Sequence, residues 1–295
     1  MSRGLTGLYP AVATPFKNKG DKIDTDALER HINWLLENDV DGIVISGSTG
    51  EAPHLNREER RLLTEIGRDA VGDKVLIVGT GGQTLPETLI YSNDAIDLGA
   101  DILMVITPYY YKVGSEELEK YYRSVSEKLD GDILLYNFPQ VTGVNIEVRT
   151  VEKLVRINNI VGIKDSSGDM PRIVKLVKAV NKEGYVLNGN AFLSLPSLVI
   201  GGHGLILAAA NIAPKPIKVM MELVREGEYL SANKLYWELY DIFIYLETTG
   251  IPGIKKVLSK LIGYPVECRP PIYRSVDEIY AERIAELCKK LNKEY

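Results

Sequence analysis

Residues 159–168 read NIVGIKDSSG. An apolar run leads straight into Lys164, and small polar residues with a glycine follow. Such a run, closed by turn formers, reads as a short buried strand that delivers its last side chain to a loop. A lysine is an odd terminus for it, because an ammonium group is strongly hydrated and rarely fully buried without a partner. Whether Lys164 is a reactive amine or merely pairs with Asp165 or another carboxylate depends on what the chain builds around it.

Runs of the same kind recur along the sequence: LYPAVAT from 8, GIVISG from 42, KVLIVGT from 74, ILMVIT from 102, DILLYN from 132, YVLNGN from 185 and GLILAAAN from 204. They are nearly continuous rather than alternating, as expected for parallel strands covered on both faces. Amphipathic stretches separate them. In DALERHINWLLEN, Leu28, Ile32, Leu35 and Leu36 form one helical stripe. In NREERRLLTEIGRDA, Asn56 with Glu59 three residues on resembles a capping box, and Leu62, Leu63, Ile66 and Ala70 form the apolar face. Further helices are expected from residues 115 and 169.

Strands alternating with helices fit a closed barrel or an open doubly wound sheet. Eight units packed without a break into roughly 225 residues predict an α/β fold, a (β/α)8 TIM barrel over residues 1–226. Beyond it the strand pattern stops. EGEYLSANKLYWELYDIFIYLETT, GIPGIKKVLSKLIG and VDEIYAERIAELCKKLNKEY predict a C-terminal three-helix extension over 227–295, packed on the barrel.

Composition narrows the function classes. A net charge of −5 without a basic block argues against nucleic acid and against an anionic membrane surface as partners. Pro10 and Pro15 break the N-terminal apolar stretch, which argues against a signal peptide, and no apolar run is long enough to span a bilayer. Cys268 and Cys288 are too few for a disulfide scaffold, so a cytoplasmic protein is expected. Three scattered histidines make no metal-ligand pattern, and no metal site is expected.

In such a barrel the chemistry sits at the C-terminal ends of the strands. Those ends carry Lys164, Tyr136, the stretch Gly47-Ser48-Thr49-Gly50-Glu51 and the run Tyr109-Tyr110-Tyr111. At an apolar rim desolvation disfavours the ammonium form of a lysine. The neutral amine can attack a ketone and form a Schiff base, whose iminium is an electron sink. A phenol both donates and accepts, so Tyr136 can relay protons, or it can be a packing residue with a wet hydroxyl. The hydroxyls and amides of Ser48 and Thr49, ahead of a helix, suit a carboxylate, although an ordinary strand-to-helix turn uses the same residues. GTGG at 79–82 lacks the Lys-Ser/Thr of a phosphate loop and reads as a turn, and His203 in GGHG precedes a strand, where a structural role is expected.

Together, GLYPAVATPF, GSTGE, ITPYYY, YNFPQVTG and GIKDSSGD resemble the dihydrodipicolinate synthase/N-acetylneuraminate lyase family, the pyruvate-dependent class I aldolases, from Gly7 to about Pro271. The resemblance implies that Lys164 forms the imine with pyruvate or a 2-oxo acid and that Tyr136 moves the proton of the aldol hydroxyl. It implies that Ser48 and Thr49, with Gly47, Gly189 and Leu207 around them, hold the pyruvyl portion, and that Ser48 links Tyr136 to Tyr110. The tyrosine matching Tyr110 reaches across a subunit interface in that family, so a homotetramer built as a dimer of dimers is implied. No cofactor is required by such chemistry.

Within the family, the synthases carry an arginine one or two residues before the Thr-Gly that follows the strand-five tyrosine; here Gln140 and Val141 occupy those places. GNAF after the seventh strand also lacks the acidic pair of the sialic-acid lyases. The YYY run resembles 2-keto-3-deoxygluconate aldolases, and GIKDSSGD with TGIPGIKK resembles 4-hydroxy-2-oxoglutarate aldolases. The expected reaction is therefore reversible cleavage of a 2-oxo-3-deoxy sugar acid or a 4-hydroxy-2-oxo acid to pyruvate and an aldehyde, in carbohydrate metabolism. Condensation of pyruvate with aspartate semialdehyde, the dihydrodipicolinate synthase reaction, is the alternative. A pyridoxal-phosphate barrel would also use a lysine imine but needs a phosphate cradle that the sequence does not show. A non-catalytic paralogue that binds a 2-oxo acid would have little reason to keep Lys164, Tyr136, Ser48 and Tyr110 together.

Overall fold

The computed structural model describes residues 4–180 and 183–295. Strands Gly42–Ile45, Val75–Gly79, Ile102–Ile106, Asp132–Asn137, Ile160–Asp165, Tyr185–Asn188 and Gly204–Leu205 follow one another in a single parallel sheet. The eighth place is filled by the first run in the chain. It is not a regular strand: Leu8 bridges Leu205 on one side and Ala11 bridges Val44 on the other. Pro10 has no N–H to give, so closure rests on its neighbours, with Tyr9 N donating to Leu205 O and Val12 N to Val44 O. The sheet thus closes on itself, and the fold is a TIM barrel with a C-terminal helical extension.

Burial on both faces explains why the runs lack a polar alternation. Leu134 and Tyr136 point into the barrel with Val44, Ile77 and Met104, while Ile133 and Leu135 pack outward with Ile43, Leu76 and Val105 beneath the helices. The first helix, Thr25–Glu37, is capped by the Asp24 side chain and buries Leu28, Ile32 and Leu35. Helix Arg57–Val71 carries the full capping box of Asn56 and Glu59. It buries Leu63 but leaves Leu62 exposed, because the stripe turns toward Gly67 and Val71 where the helix lies on the sheet. Helices Ser115–Ser126 and Met170–Val180 stand where the turn signals place them.

One irregularity decides which way Lys164 faces. Ile133 pairs with Ile160, but Leu134 pairs with Gly162, so Val161 is an extra residue in a β-bulge. A one-residue slip exchanges the two faces of a strand. Beyond the bulge Ile163 packs outward, and Lys164 comes level with the inward Tyr136. Gly162 has φ 154°, and a Cβ there would sit 2.1 Å from Tyr185 O, so the bulge needs glycine at this position.

Past residue 226 the chain is helical. Helix Tyr229–Ile262 is broken at Gly250 (φ 64°, ψ −145°), two residues before Pro252, and Glu278–Glu294 packs against it. A short antiparallel hairpin, Phe16–Lys17 with Lys22–Ile23, also bridges to Glu267. Two-residue strands leave no periodicity to read, and the sequence pattern did not anticipate this one.

Candidate active site

Lys164 ends the strand Ile160–Asp165 and is 4% exposed. Its Nζ lies 4.0 Å from the centroid of the Tyr136 ring, on the neighbouring strand at the same register. Asp165, the next residue, points the opposite way and is fully occupied. It binds Arg172 Nε at 2.7 Å and accepts from Asn137 Nδ2 at 2.9 Å and Ser167 N at 3.0 Å. The reading in which Lys164 pairs with Asp165 is therefore excluded by strand geometry, and among the described residues no carboxylate pairs with Lys164. The Asp165–Arg172 pair is itself buried, and Arg172 Nη2 also donates to Ile146 O at 2.6 Å. It ties together the loops after two adjacent strands just outside the lysine.

Tyr136 Oη lies 3.3 Å from Ser48 Oγ. Ser48 and Thr49 sit in the turn after Gly42–Ile45, half-buried, in a loop closed by Glu51 N to Ser48 O and Ala52 N to Gly47 O. Thr14 Oγ1 donates to Gly50 O at 2.7 Å and pins the turn to the N-terminal segment. Lys164, Tyr136, Ser48, Thr49, Gly189 and Leu207 all line one chamber of about 290 Å³. Gly189 is there for space. A Cβ on it would stand 2.1 Å from Ser166 Oγ and 2.9 Å from Lys164 Cε.

A second chamber, of about 480 Å³, shares Ser48, Thr49, Tyr136 and Phe138 with the first and is lined by Gly47, Tyr109 and Val141 in addition. Gly79 and Gly81 of the GTGG turn also line it, so that turn contributes a wall although it has no phosphate-loop residues. Val141 is 62% exposed, and Gln140 Nε2 donates to Ser167 O. Arg60 brings a guanidinium to the wall. It donates to Gly79 O and Ala52 O, stacks 4.3 Å over the Tyr91 ring, and its Nε has no protein partner. Burial holds its pKa below the ordinary arginine value.

Tyr110 does not enter either chamber. It is 82% exposed with φ 80°, a conformation costly for a non-glycine residue, and its ring meets Tyr111 edge to face. His203 lies at the opposite end of the barrel, where Nδ1 accepts from Val186 N, and burial lowers its pKa. Among the described residues no group of three or more His, Cys, Asp and Glu side chains converges as a metal site, and no helix is long and apolar enough to cross a membrane.

Several wall residues were not singled out from sequence. Phe138 stacks beside Tyr136 at 6.0 Å, and Phe243, Leu246, Ile251 and Ile254 arrive from the C-terminal extension. Only the break at Gly250-Ile251-Pro252 hinted that the extension turns toward the site.

A buried lysine at the mouth of a TIM barrel, set against a tyrosine and a hydroxyl-bearing turn, is the arrangement of a class I aldolase, a carbon–carbon lyase working through a lysine Schiff base. The chain belongs to the dihydrodipicolinate synthetase family, whose model matches residues 4–290. It is 38% identical over 277 residues to the 4-hydroxy-tetrahydrodipicolinate synthase of Methanocaldococcus jannaschii, covering 92% of this chain and 94% of that protein. The crystal structure of dihydrodipicolinate synthase from Aquifex aeolicus superposes with a TM-score of 0.91 at 32% identity, covering 98% of each chain. The Acinetobacter baumannii dihydrodipicolinate synthase, solved in complex with pyruvate, superposes with a TM-score of 0.91 at 31% identity, covering 97% of this chain and 99% of that one. These relatives are named for the synthase reaction, not for the retro-aldol cleavage expected from the Gln140-Val141 segment.

Proposed function

We propose that this chain condenses pyruvate with an aldehyde through an imine on Lys164, and that the aldehyde is aspartate semialdehyde, the partner in the dihydrodipicolinate synthase reaction for which its relatives are named. The observation that carries the mechanism is Lys164 itself, buried, without a carboxylate partner and 4.0 Å from the ring of Tyr136. The amine attacks the pyruvate ketone and water leaves. The iminium then draws electrons from the methyl carbon, which loses a proton and adds to the aldehyde. Tyr136, linked to Ser48 at 3.3 Å, moves protons at the ketone and aldehyde oxygens, and the Ser48-Thr49 turn receives the pyruvyl carboxylate. Arg60, a wall residue of the larger chamber, supplies the cation that a second carboxylate calls for.

One observation favours a second reading, cleavage of a 2-oxo-3-deoxy sugar acid or a 4-hydroxy-2-oxo acid. Val141 offers an apolar side chain at the chamber where the family's synthases carry a guanidinium near Thr-Gly. Losing a charge-assisted contact costs about 1.5–3 kcal/mol, tenfold or more in transition-state binding. The test compares kcat/KM for both reactions on one preparation, after borohydride trapping with pyruvate has located the imine by peptide mass spectrometry. A tenfold advantage for aspartate semialdehyde establishes the synthase; the reverse ratio establishes the aldolase; a label absent from Lys164 removes both.

A further inference from the structure

Among the described residues, the ion pair with both side chains at 0% exposure lies behind the carboxylate turn rather than in it. Glu51 ends the GSTGE stretch in a left-handed conformation, φ 57° and ψ 35°. Its Oε1 accepts from Lys255 Nζ at 2.6 Å, with both side chains at 0% exposure. Its Oε2 accepts from Arg269 N at 2.9 Å, and His54 Nδ1 lies 3.5 Å away. Lys255 also donates to Glu267 O at 2.7 Å and sits 4.6 Å over the Phe16 ring. The two groups that donate hydrogen bonds to the Glu51 carboxylate, Lys255 Nζ and Arg269 N, belong to the C-terminal extension, whereas Glu51 and His54 belong to the barrel.

We propose that the Glu51–Lys255 pair is a positioning element, which sets the Gly47–Thr49 donors for the substrate carboxylate and makes that site depend on the docked C-terminal helix. The proposal rests on the reading in which that turn receives pyruvate. The connection is short. Glu51 N holds Ser48 O and Ala52 N holds Gly47 O, so a displacement of Glu51 is passed to the residues that carry the donors. On the other side, Ile254 precedes Lys255 and lines the larger chamber together with Ile251. One ion pair therefore joins the carboxylate turn to the helix that supplies Ile251 and Ile254 to the same cavity. A buried pair of this kind adds little net stability over an apolar pair of the same shape, because desolvation offsets the attraction. What it adds is register: hydrogen bonds of fixed direction at Oε1 and Oε2 hold a turn that a nonspecific apolar contact would leave free to shift.

The experiment uses the full chain and the double variant Glu51→Gln/Lys255→Met, which removes both charges together, so that neither charge is left buried without its counter-charge. The readout is the pyruvate concentration giving half-maximal borohydride labelling of Lys164, measured beside kcat and thermal unfolding. The expected result is a rise of about tenfold in that concentration, the size of one misplaced charge-assisted contact. Labelling at saturating pyruvate should still be complete, and kcat should fall less than KM rises. A folded double variant with wild-type half-saturation overturns the positioning role. If the double variant does not fold, Lys255→Arg keeps the charge and displaces the donor atoms, and the same shift in half-saturation is required of it. Failure of the wild-type chain to label Lys164 overturns the reading of the site and the positioning role together, so the two failures are distinguishable.

Discussion

Gly189→Ala isolates the steric side of the lysine's reactivity. The added methyl meets Ser166 Oγ at 2.1 Å and Lys164 Cε at 2.9 Å. Ser166 can rotate its hydroxyl away, but the lysine side chain is held between the Tyr136 ring and the strand it stands on. Ordinary contact for a Cβ begins near 3.4 Å, so Cε must recede by about 0.5 Å. Misplacing a reacting group by 1 Å costs about a hundredfold, which puts half that displacement at about tenfold in imine formation. Overpacking adds about 1–3 kcal/mol of destabilisation, too little to unfold a barrel of this size by itself. The assay is the single-turnover rate of borohydride trapping at saturating pyruvate, with unfolding followed on the same samples. The companion Gly189→Ala/Ser166→Ala relieves the first clash and leaves the second. Trapping at the wild-type rate in Gly189→Ala, or full recovery in the companion, would falsify the argument that the methyl acts through Lys164.

Tyr136→Phe should slow turnover by about 10²–10⁴-fold while Lys164 still traps pyruvate, because the phenol is removed and the amine is not; wild-type turnover would reduce Tyr136 to a packing residue. His31 is wholly buried, its Nε2–H donates to Asn211 O, and burial lowers its pKa from 6.5 to about 4. The folded state keeps it neutral while the unfolded chain takes up a proton, so stability is full above pH 6.5 and is lost as pH falls toward 4, by up to about 3 kcal/mol. His31→Gln should flatten that part of the stability-against-pH curve, measured by urea titration, and an unchanged slope removes His31 as its source. Tyr110, exposed and backbone-strained in the single chain, is expected to be covered in a homotetramer. Sedimentation at micromolar concentration that finds only single chains would contradict this, and Tyr110→Phe should then leave turnover unchanged.

How far the sequence could be read depended on the range of the interaction involved. Recurrent apolar runs and helical stripes are local patterns, and they were enough for the barrel, the capping box at Asn56–Glu59 and the helical C-terminus. The candidate lysine was legible for the same reason, since a cation closing an apolar strand is a local contradiction that invites explanation. The exposed Leu62 shows the limit. A stripe on a helix tells which residues are apolar, but the angle at which the helix meets the sheet chooses which of them are buried.

What the sequence determined by itself, then, was the alternation of strands and helices, the strand ends that carry Lys164, Tyr136 and Ser48-Thr49, and the family that those motifs resemble. Tertiary structure alone decided the direction in which Lys164 faces, through the extra residue at Val161 in the bulge against Leu134. It decided that Asp165 belongs to Arg172 rather than to its neighbour in the chain. It also brought Lys255 across more than two hundred positions to Glu51. The physical reason is common to all three. Hydrophobic periodicity is written into each segment, whereas register, facing and buried charge pairing depend on partners that only the closed barrel brings within reach.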